Sequence, residues 1–291
     1  MFGALVRSMR PKQWIKNLLV FAAAIFSRNL FHVESFLRTA GAFVAFTLVA
    51  SAVYIINDLV DRENDRRHPT KKNRPIASGK LPVGAAVIGA AGAIVVGLGG
   101  GLWLDWRFGA LLAGYFLMQL AYSFRLKQIV VLDVMIVAAG FALRAISGVF
   151  VVHVTLSPWL FVVTILAALF VAVAKRRHEL LFLEGGGISH RTVLGKYSET
   201  LLDQMMAVAT SATVIAYCLY TIAPETVAKF GTSYLILTVP FVLYGIYRYL
   251  YLVYQKEMGG APEKVFLTDL PLIVDIALYF ISAILIVYLK F

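Results

Sequence analysis

The chain has 291 residues, 60% of them hydrophobic and 15% charged, with a mean hydropathy of +0.80. A soluble domain of this length does not carry so little polarity, and one cysteine, Cys218, excludes an internal disulfide and offers no metal-site spacing, so it reads as a small packing residue. The formal charge of +11 raises nucleic acid as a partner, but the placement of the bases answers to a membrane instead.

A span needs roughly 20 mainly apolar residues to cross about 30 Å of hydrocarbon. In chain order the stretches that qualify are 17–32, 36–57, 82–104, 108–124, 129–152, 157–174, 203–223, 232–253 and 270–289. The first is the weakest, since "NLLVFAAAIF" between Lys16 and Arg28 is also shaped like a signal-peptide core. Eight more follow, and Trp14 beside it reads as an interfacial anchor. Alternating strand periodicity is absent, so helices must satisfy the backbone in lipid. The expected fold is a single all-α domain over 1–291, a nine-helix membrane bundle, with polar loops near 58–81, 125–128 and 175–202. No repeat or linker divides it.

With the N-terminus in the cytoplasm, the inward segments hold twenty Lys and Arg and the outward ones five. That asymmetry orients the N-terminus inside and the C-terminus outside an inner, or cell, membrane. Nucleic acid is therefore not an expected partner, and the sequence leaves the oligomeric state open.

"NDLVDRENDRRHPTKKNRPIASG", Asn57 to Gly79, gathers four acids and six bases after the second span. Asp58, Asp61 and Asp65 stand at i, i+3 and i+7, one face of a continuing helix, with the amide of Asn57 beside them. Like charges at that spacing repel, and a divalent cation reverses the sign. Mg²⁺ takes one or two carboxylates together with a substrate's phosphates, so the cluster suits Mg²⁺-bound diphosphate. The plainer alternative is a solvated helix end in which Arg62, Arg66 and Arg67 pair with the acids. Against it, His68, Lys71, Lys72 and Arg74 follow in one compact loop, and Arg74 is the best bidentate phosphate ligand among them.

"NDxxDxxxD", carried by Asn57, Asp58, Asp61 and Asp65, together with "RPIASG" at Arg74 to Gly79, resembles the first aspartate-rich motif of the UbiA superfamily of intramembrane prenyltransferases. The resemblance implies nine helices, a polar cap over a chamber open to lipid, and transfer from a diphosphate donor with Mg²⁺. The superfamily's usual second motif, two aspartates four apart after the sixth span, is missing from "AKRRHELLFLEGGGISHRTVLGKYSETLLDQ". There Lys175, Arg176 and Arg177 precede Glu179, which takes the place of a carboxylate, and the bases suit additional phosphate.

"RPKQWIKN" at Arg10 to Asn17, "YSFRLKQIVVLDV" and "AKRRHEL" are similar to the phosphoribosyltransferase branch acting on decaprenyl phosphate. That resemblance implies transfer of ribose 5-phosphate from 5-phosphoribosyl 1-diphosphate to a polyprenyl phosphate, in cell-wall arabinan synthesis. Asp58, Asp61 and Asp65, with Asn57, take the metal–diphosphate role. Lys16, Arg74, Lys127, Lys175 and Arg176 are the candidates for the two other phosphates, and Tyr122, Tyr197 and Glu179 for hydrogen bonds to phosphate or ribose. Snorkelling, positive-inside bias and packing are the alternatives for the lysines and tyrosines. His68 and His190 read as loop contacts rather than bases.

Inside the spans, Asp133 and Arg144 return to nearly one helix face but lie roughly 16 Å apart along it, so each needs another partner. Asp275 is the expected one for Arg144. Two other activities stay open: prenyl transfer to an aromatic or other small acceptor, and transport of a phosphorylated lipid or organic anion. No half-and-half symmetry with broken midplane helices favours transport.

Overall fold

The computed structural model describes residues 1–27, 32–69, 71–154, 157–184, 193–260 and 262–289. His190 and the glycine run before it lie outside that set. Two compact units form: Met1–Lys127 with Gly140–Leu156, and Gln128–Ala139 with Ser157–Phe291. No linker composition marks the division, which is why the sequence reads as one domain.

The first unit opens with α1 (Phe2–Ser8), a 3-10 helix (Pro11–Phe21) and the short α2 (Ala22–Phe26). The expected first span therefore winds differently from the rest. Pro11 at the 3-10 start lacks an N–H that the first turn would leave unpaired anyway. Trp14, expected as an interfacial anchor, instead donates from Nε1 to Ser51 Oγ at 3.2 Å and to the Met9 carbonyl at 3.1 Å, fixing this segment to the next helix.

The long α3 (Val33–Val60) is followed by the short α4 (Arg62–Arg67), a 3-10 turn (Lys71–Asn73), α5 (Val83–Leu104) and α6 (Trp106–Phe124). Small residues bring these helices together as expected of membrane packing. A Cβ on Gly97 would meet Val49 Cγ2 at 2.7 Å and the Ala45 carbonyl at 3.0 Å, so α5 lies directly on α3. Asp105, extended between α5 and α6, caps the latter by accepting from the N–H groups of Arg107 and Phe108 at 2.7 and 3.2 Å. The core here packs Phe46, Val49, Phe108, Leu112 and Tyr115 around Val20.

α7 (Leu132–Val152) supplies its first residues to the second unit and its later ones to the first. Gly148 on it faces the Val20 carbonyl oxygen so closely that a Cβ would collide with backbone. Gly148→Ala is expected to lower stability by about 1–3 kcal/mol through forced backbone displacement, read as a lower unfolding midpoint in detergent.

The second unit adds α8 (Pro158–Glu184), α9 (Glu199–Ile222), α10 (Pro224–Phe230), α11 (Val239–Gln255), α12 (Pro262–Thr268) and α13 (Leu270–Leu289). Its core joins Phe170, Val173, Leu202, Met206, Tyr249, Leu252 and Leu272. The predicted loop at 175–202 needs correction: Lys175 to Glu184 continue α8. Hydropathy locates the end of an apolar run, whereas the helix goes on because its charged side chains find partners beyond it.

Among the described residues no strand occurs, and seven helices are long and apolar enough to cross a membrane. α6, with 19 residues, is a further long helix. Outward faces carry Ile88, Val95, Leu117, Val208 and Ile215, all exposed, which only a lipid surround makes favourable.

Candidate active site

In the first unit the polar cluster assembles where α3 ends. Helical hydrogen bonding nearly continues through Asp61, whose N–H donates to the Asn57 carbonyl at 2.9 Å and whose carbonyl accepts from Asp65 N–H at 2.8 Å. Asp58 and Asp65 thus share a face, as their spacing predicts. Both are buried, at 2% and 3% exposure.

Arg74 joins them. Its Nη1 donates to Asp58 Oδ1 at 3.0 Å and to Asp65 Oδ2 at 2.6 Å. The turn that presents Arg74 is folded by "RPIASG" itself: Ser78 N–H returns to the Arg74 carbonyl at 2.9 Å, Leu81 N–H reaches Pro75, and Gly79 takes a φ of 78° that a side chain would strain. Ile76, Ala77 and Leu81 are buried beneath it, and Arg66 Nε ties α4 to the Ala77 carbonyl at 3.1 Å.

Arg10 adds a second cation on Asp58 Oδ1 and lies 5.0 Å above the Tyr54 ring. Sequence reasoning counted Arg10 among the topological charges. The signal for it was its position at the head of "RPKQWIKN", where a φ of 54° turns the chain from α1 into the 3-10 helix. Asp61 faces elsewhere, accepting from Lys127 Nζ at 3.3 Å. The three acids are therefore held by Arg10, Arg74 and Lys127. Of the bases in the helix-end alternative, Arg66 pairs with Glu63 at 3.2 Å rather than with these three acids.

Among the described residues no three acids or histidines are grouped as an ion alone would require. The oxygens present nonetheless suit Mg²⁺ in its usual partial role, with phosphate oxygens and water completing its shell. Arg62, next in sequence to Asp61, has its Nε buried with no hydrogen-bond partner among the described residues, a donor suited to an anion. Asn57 is half-buried on the preceding turn, and His68 accepts from Lys71 N–H at 3.4 Å, the loop contact expected of it.

Deeper in this unit, Lys16 lies 6.0 Å from the Phe141 ring and Tyr122 is half-buried near the end of α6. Arg144 corrects an expectation: its partners are Asn17 Oδ1 at 2.8 Å, the Gly140 carbonyl at 2.6 Å and the Tyr115 hydroxyl at 2.8 Å, rather than Asp275. The rings of Phe46, Tyr115 and Phe141 lie 5.0 to 5.5 Å from the guanidinium, so a buried cation is solvated by neutral acceptors and ring faces. Asn17 completes the network by donating to Thr47 at 3.0 Å.

The second unit holds its own polar cluster. Asp133, fully buried, accepts from Arg176 Nε and from the Tyr197 hydroxyl, both at 2.6 Å. Arg176 also reaches Glu179, and the Val131 N–H donates to the Tyr197 oxygen at 2.7 Å. Val131 has a φ of 68°, a strained value for a β-branched residue, and the tyrosine sits where it holds that turn. Burial, then the bond given to Asp133, pushes the Tyr197 phenol well above its ordinary range, so it remains a donor. Lys175 is half-buried one residue before Arg176.

Arg177 is clasped by Glu199 and by Asp203, the latter at 2.6 Å, with the Tyr254 ring 4.4 Å away. Sequence reasoning sought two aspartates four apart and passed over this pair. Glu199 and Asp203 have that spacing on the first turns of α9, with a glutamate in the first place.

Residues 18–270 match the model of the UbiA prenyltransferase family. The chain belongs to the UbiA prenyltransferase family. Among its relatives, a decaprenyl-phosphate phosphoribosyltransferase of Corynebacterium glutamicum is 38% identical over 91% of this chain and 81% of its own. One from Mycobacterium tuberculosis is 35% identical over 92% of this chain and 88% of its own. A UbiA homolog of Archaeoglobus fulgidus, solved with GPP and Mg²⁺, superposes with a TM-score of 0.69 at 19% identity, covering 84% of this chain and 86% of that one. The UbiA protein described here is thus a multi-pass membrane transferase, and its neighbours in this fold have been solved with divalent metal.

Proposed function

We propose that this UbiA-family protein transfers 5-phosphoribose from 5-phosphoribosyl 1-diphosphate to a polyprenyl phosphate of the decaprenyl type, releasing diphosphate. The observation that carries the reading is likeness along almost the whole chain to decaprenyl-phosphate phosphoribosyltransferases, at 35–38% identity. In the reaction an oxygen of the lipid phosphate forms the bond to the anomeric carbon. The carbon–oxygen bond to diphosphate breaks and its electron pair leaves with the diphosphate. A lipid phosphate is already anionic near neutral pH, so no strong base is required and positioning supplies much of the rate.

Asp58, Asp61 and Asp65, with Asn57, would hold Mg²⁺ on the diphosphate, and the ion when bound offsets the charge that develops there. Arg74 and Arg10 hold the acids in place and neutralise them in its absence, while Arg62 offers its unmatched donor to phosphate. Lys16, Lys127, Lys175 and Tyr122 are proposed phosphate or ribose contacts. Arg176, Glu179 and Tyr197 are better assigned to positioning, since their polar groups converge on Asp133 or on one another. We place the N-terminus and the reaction on the cytoplasmic side of the inner membrane, from the charge asymmetry, and the product in cell-wall arabinan synthesis.

The test is purified protein with Mg²⁺, labelled 5-phosphoribosyl 1-diphosphate and a polyprenyl phosphate, followed by extraction of the lipid phase. Label is expected in lipid, lost on chelation and lost in Asp61→Asn. Consumption of a prenyl diphosphate with an aromatic acceptor, and no lipid label, would overturn the assignment in favour of prenyl transfer.

A further inference from the structure

The proposed transfer leaves one intramembrane carboxyl unused. Asp275 on α13 is 8% exposed, and no hydrogen bond or ion pair reaches it among the described residues. Arg248 on α11 is committed to Asp269, with Nε to Oδ1 at 3.0 Å and Nη2 to Oδ2 at 2.8 Å. An ionisable group in lipid without a partner is expensive to keep and points to a ligand.

Asp275 lines a cavity of about 380 Å³ within the second unit, inside the range of roughly 300–1,000 Å³ typical of small-molecule pockets. The remaining walls come from α8, α11, α12 and α13 and are apolar, with the rings of Phe170, Phe241, Tyr249, Phe266, Tyr279 and Phe280 among them. Tyr249 stacks on Phe266 with centroids 5.6 Å apart and meets Phe170 edge-on at 5.2 Å, which sets these faces firmly. On one side the carboxyl packs directly on α11: a Cβ on Gly245 would stand 3.0 Å from Asp275 Oδ2. None of the lining residues belongs to the transferase assignment.

One carboxyl among ring faces is the chemistry that recognises an organic cation, since the aromatic quadrupoles and the carboxylate attract the same charge. A neutral lipid would fill the walls and leave Asp275 unmatched, and an anion would be repelled. We propose that this cavity binds a lipophilic amine, its ammonium held between Asp275 and the surrounding rings and its chain on the apolar wall.

Thermal unfolding of the full chain in an uncharged detergent tests this, with n-decylamine compared against n-decanol at equal concentration. A ligand that binds the folded state raises the midpoint in proportion to its occupancy. The amine is expected to raise it by several degrees, the alcohol to leave it almost unchanged, and Asp275→Asn to abolish the amine's effect. Ala167→Leu, which fills the cavity from α8 and keeps the carboxyl, is expected to abolish it too and stands in should the asparagine variant misfold. Equal shifts with amine and alcohol, no shift with either, or a shift retained in both variants would overturn the proposal. The assay needs no turnover, so its failure is separable from that of the phosphoribosyl reading.

Discussion

Arg74→Ala is expected to lower transfer by roughly 10²- to 10³-fold, the usual loss when a preorganised charge donor leaves a reaction centre. The same change removes the cation between two buried carboxylates. Breaking a buried pair costs about 3–5 kcal/mol, and because the Arg74 side chain is 26% exposed the loss should lie nearer about 2–4. Asp58 keeps Arg10, while Asp65 is left with no other ion-pair partner among the described residues. Two acids on one face without Arg74 form a better cation site than the wild type has. Mg²⁺ should therefore raise the unfolding midpoint of Arg74→Ala more than that of the parent. Equal Mg²⁺ responses would count against the metal role of Asp58 and Asp65.

Asp133→Ala is the second large effect. It takes the Nε partner from Arg176, whose side chain is 4% exposed and keeps Glu179, and it deprives the Tyr197 hydroxyl of its acceptor, so a loss of about 2–4 kcal/mol is expected. The double variant Asp133→Ala with Arg176→Met removes the buried cation as well and should recover a good part of that loss. Unfolding midpoints for the four members of the cycle measure the coupling. Additive effects would mean that the pair contributes little and that Glu179 alone satisfies Arg176.

Most of the long helices were legible because lipid demands long apolar runs: 82–104 was expected and Val83–Leu104 is found. The continuation of α8 past residue 174 was not, since charge ends a hydropathy signal without ending a helix. At the polar cluster, spacing placed Asp58 and Asp65 on one face, and both meet Arg74. Spacing does not say that Asp61, one turn between them, faces Lys127. Arg10 was opaque for a different reason: it reaches Asp58 from 48 residues away, a contact that local pattern cannot encode. The Arg144 network was hidden likewise, because a cation solvated by an amide, a phenol and a carbonyl leaves no charge complement in the sequence.

The 3-10 winding at the start of the chain bears on how far a short segment can reach. Eleven residues rising about 2.0 Å each, followed by five of α2 at about 1.5 Å, extend roughly 30 Å. A regular α-helix needs about 20 residues for that distance. Overwinding thus gives this short segment a reach that the same residues at α-helical pitch would not have. Relaxing it to α-helical pitch would shorten it by about 5 Å and draw Arg10 and Asn17, near its two ends of polar contact, out of register with Asp58 and Arg144.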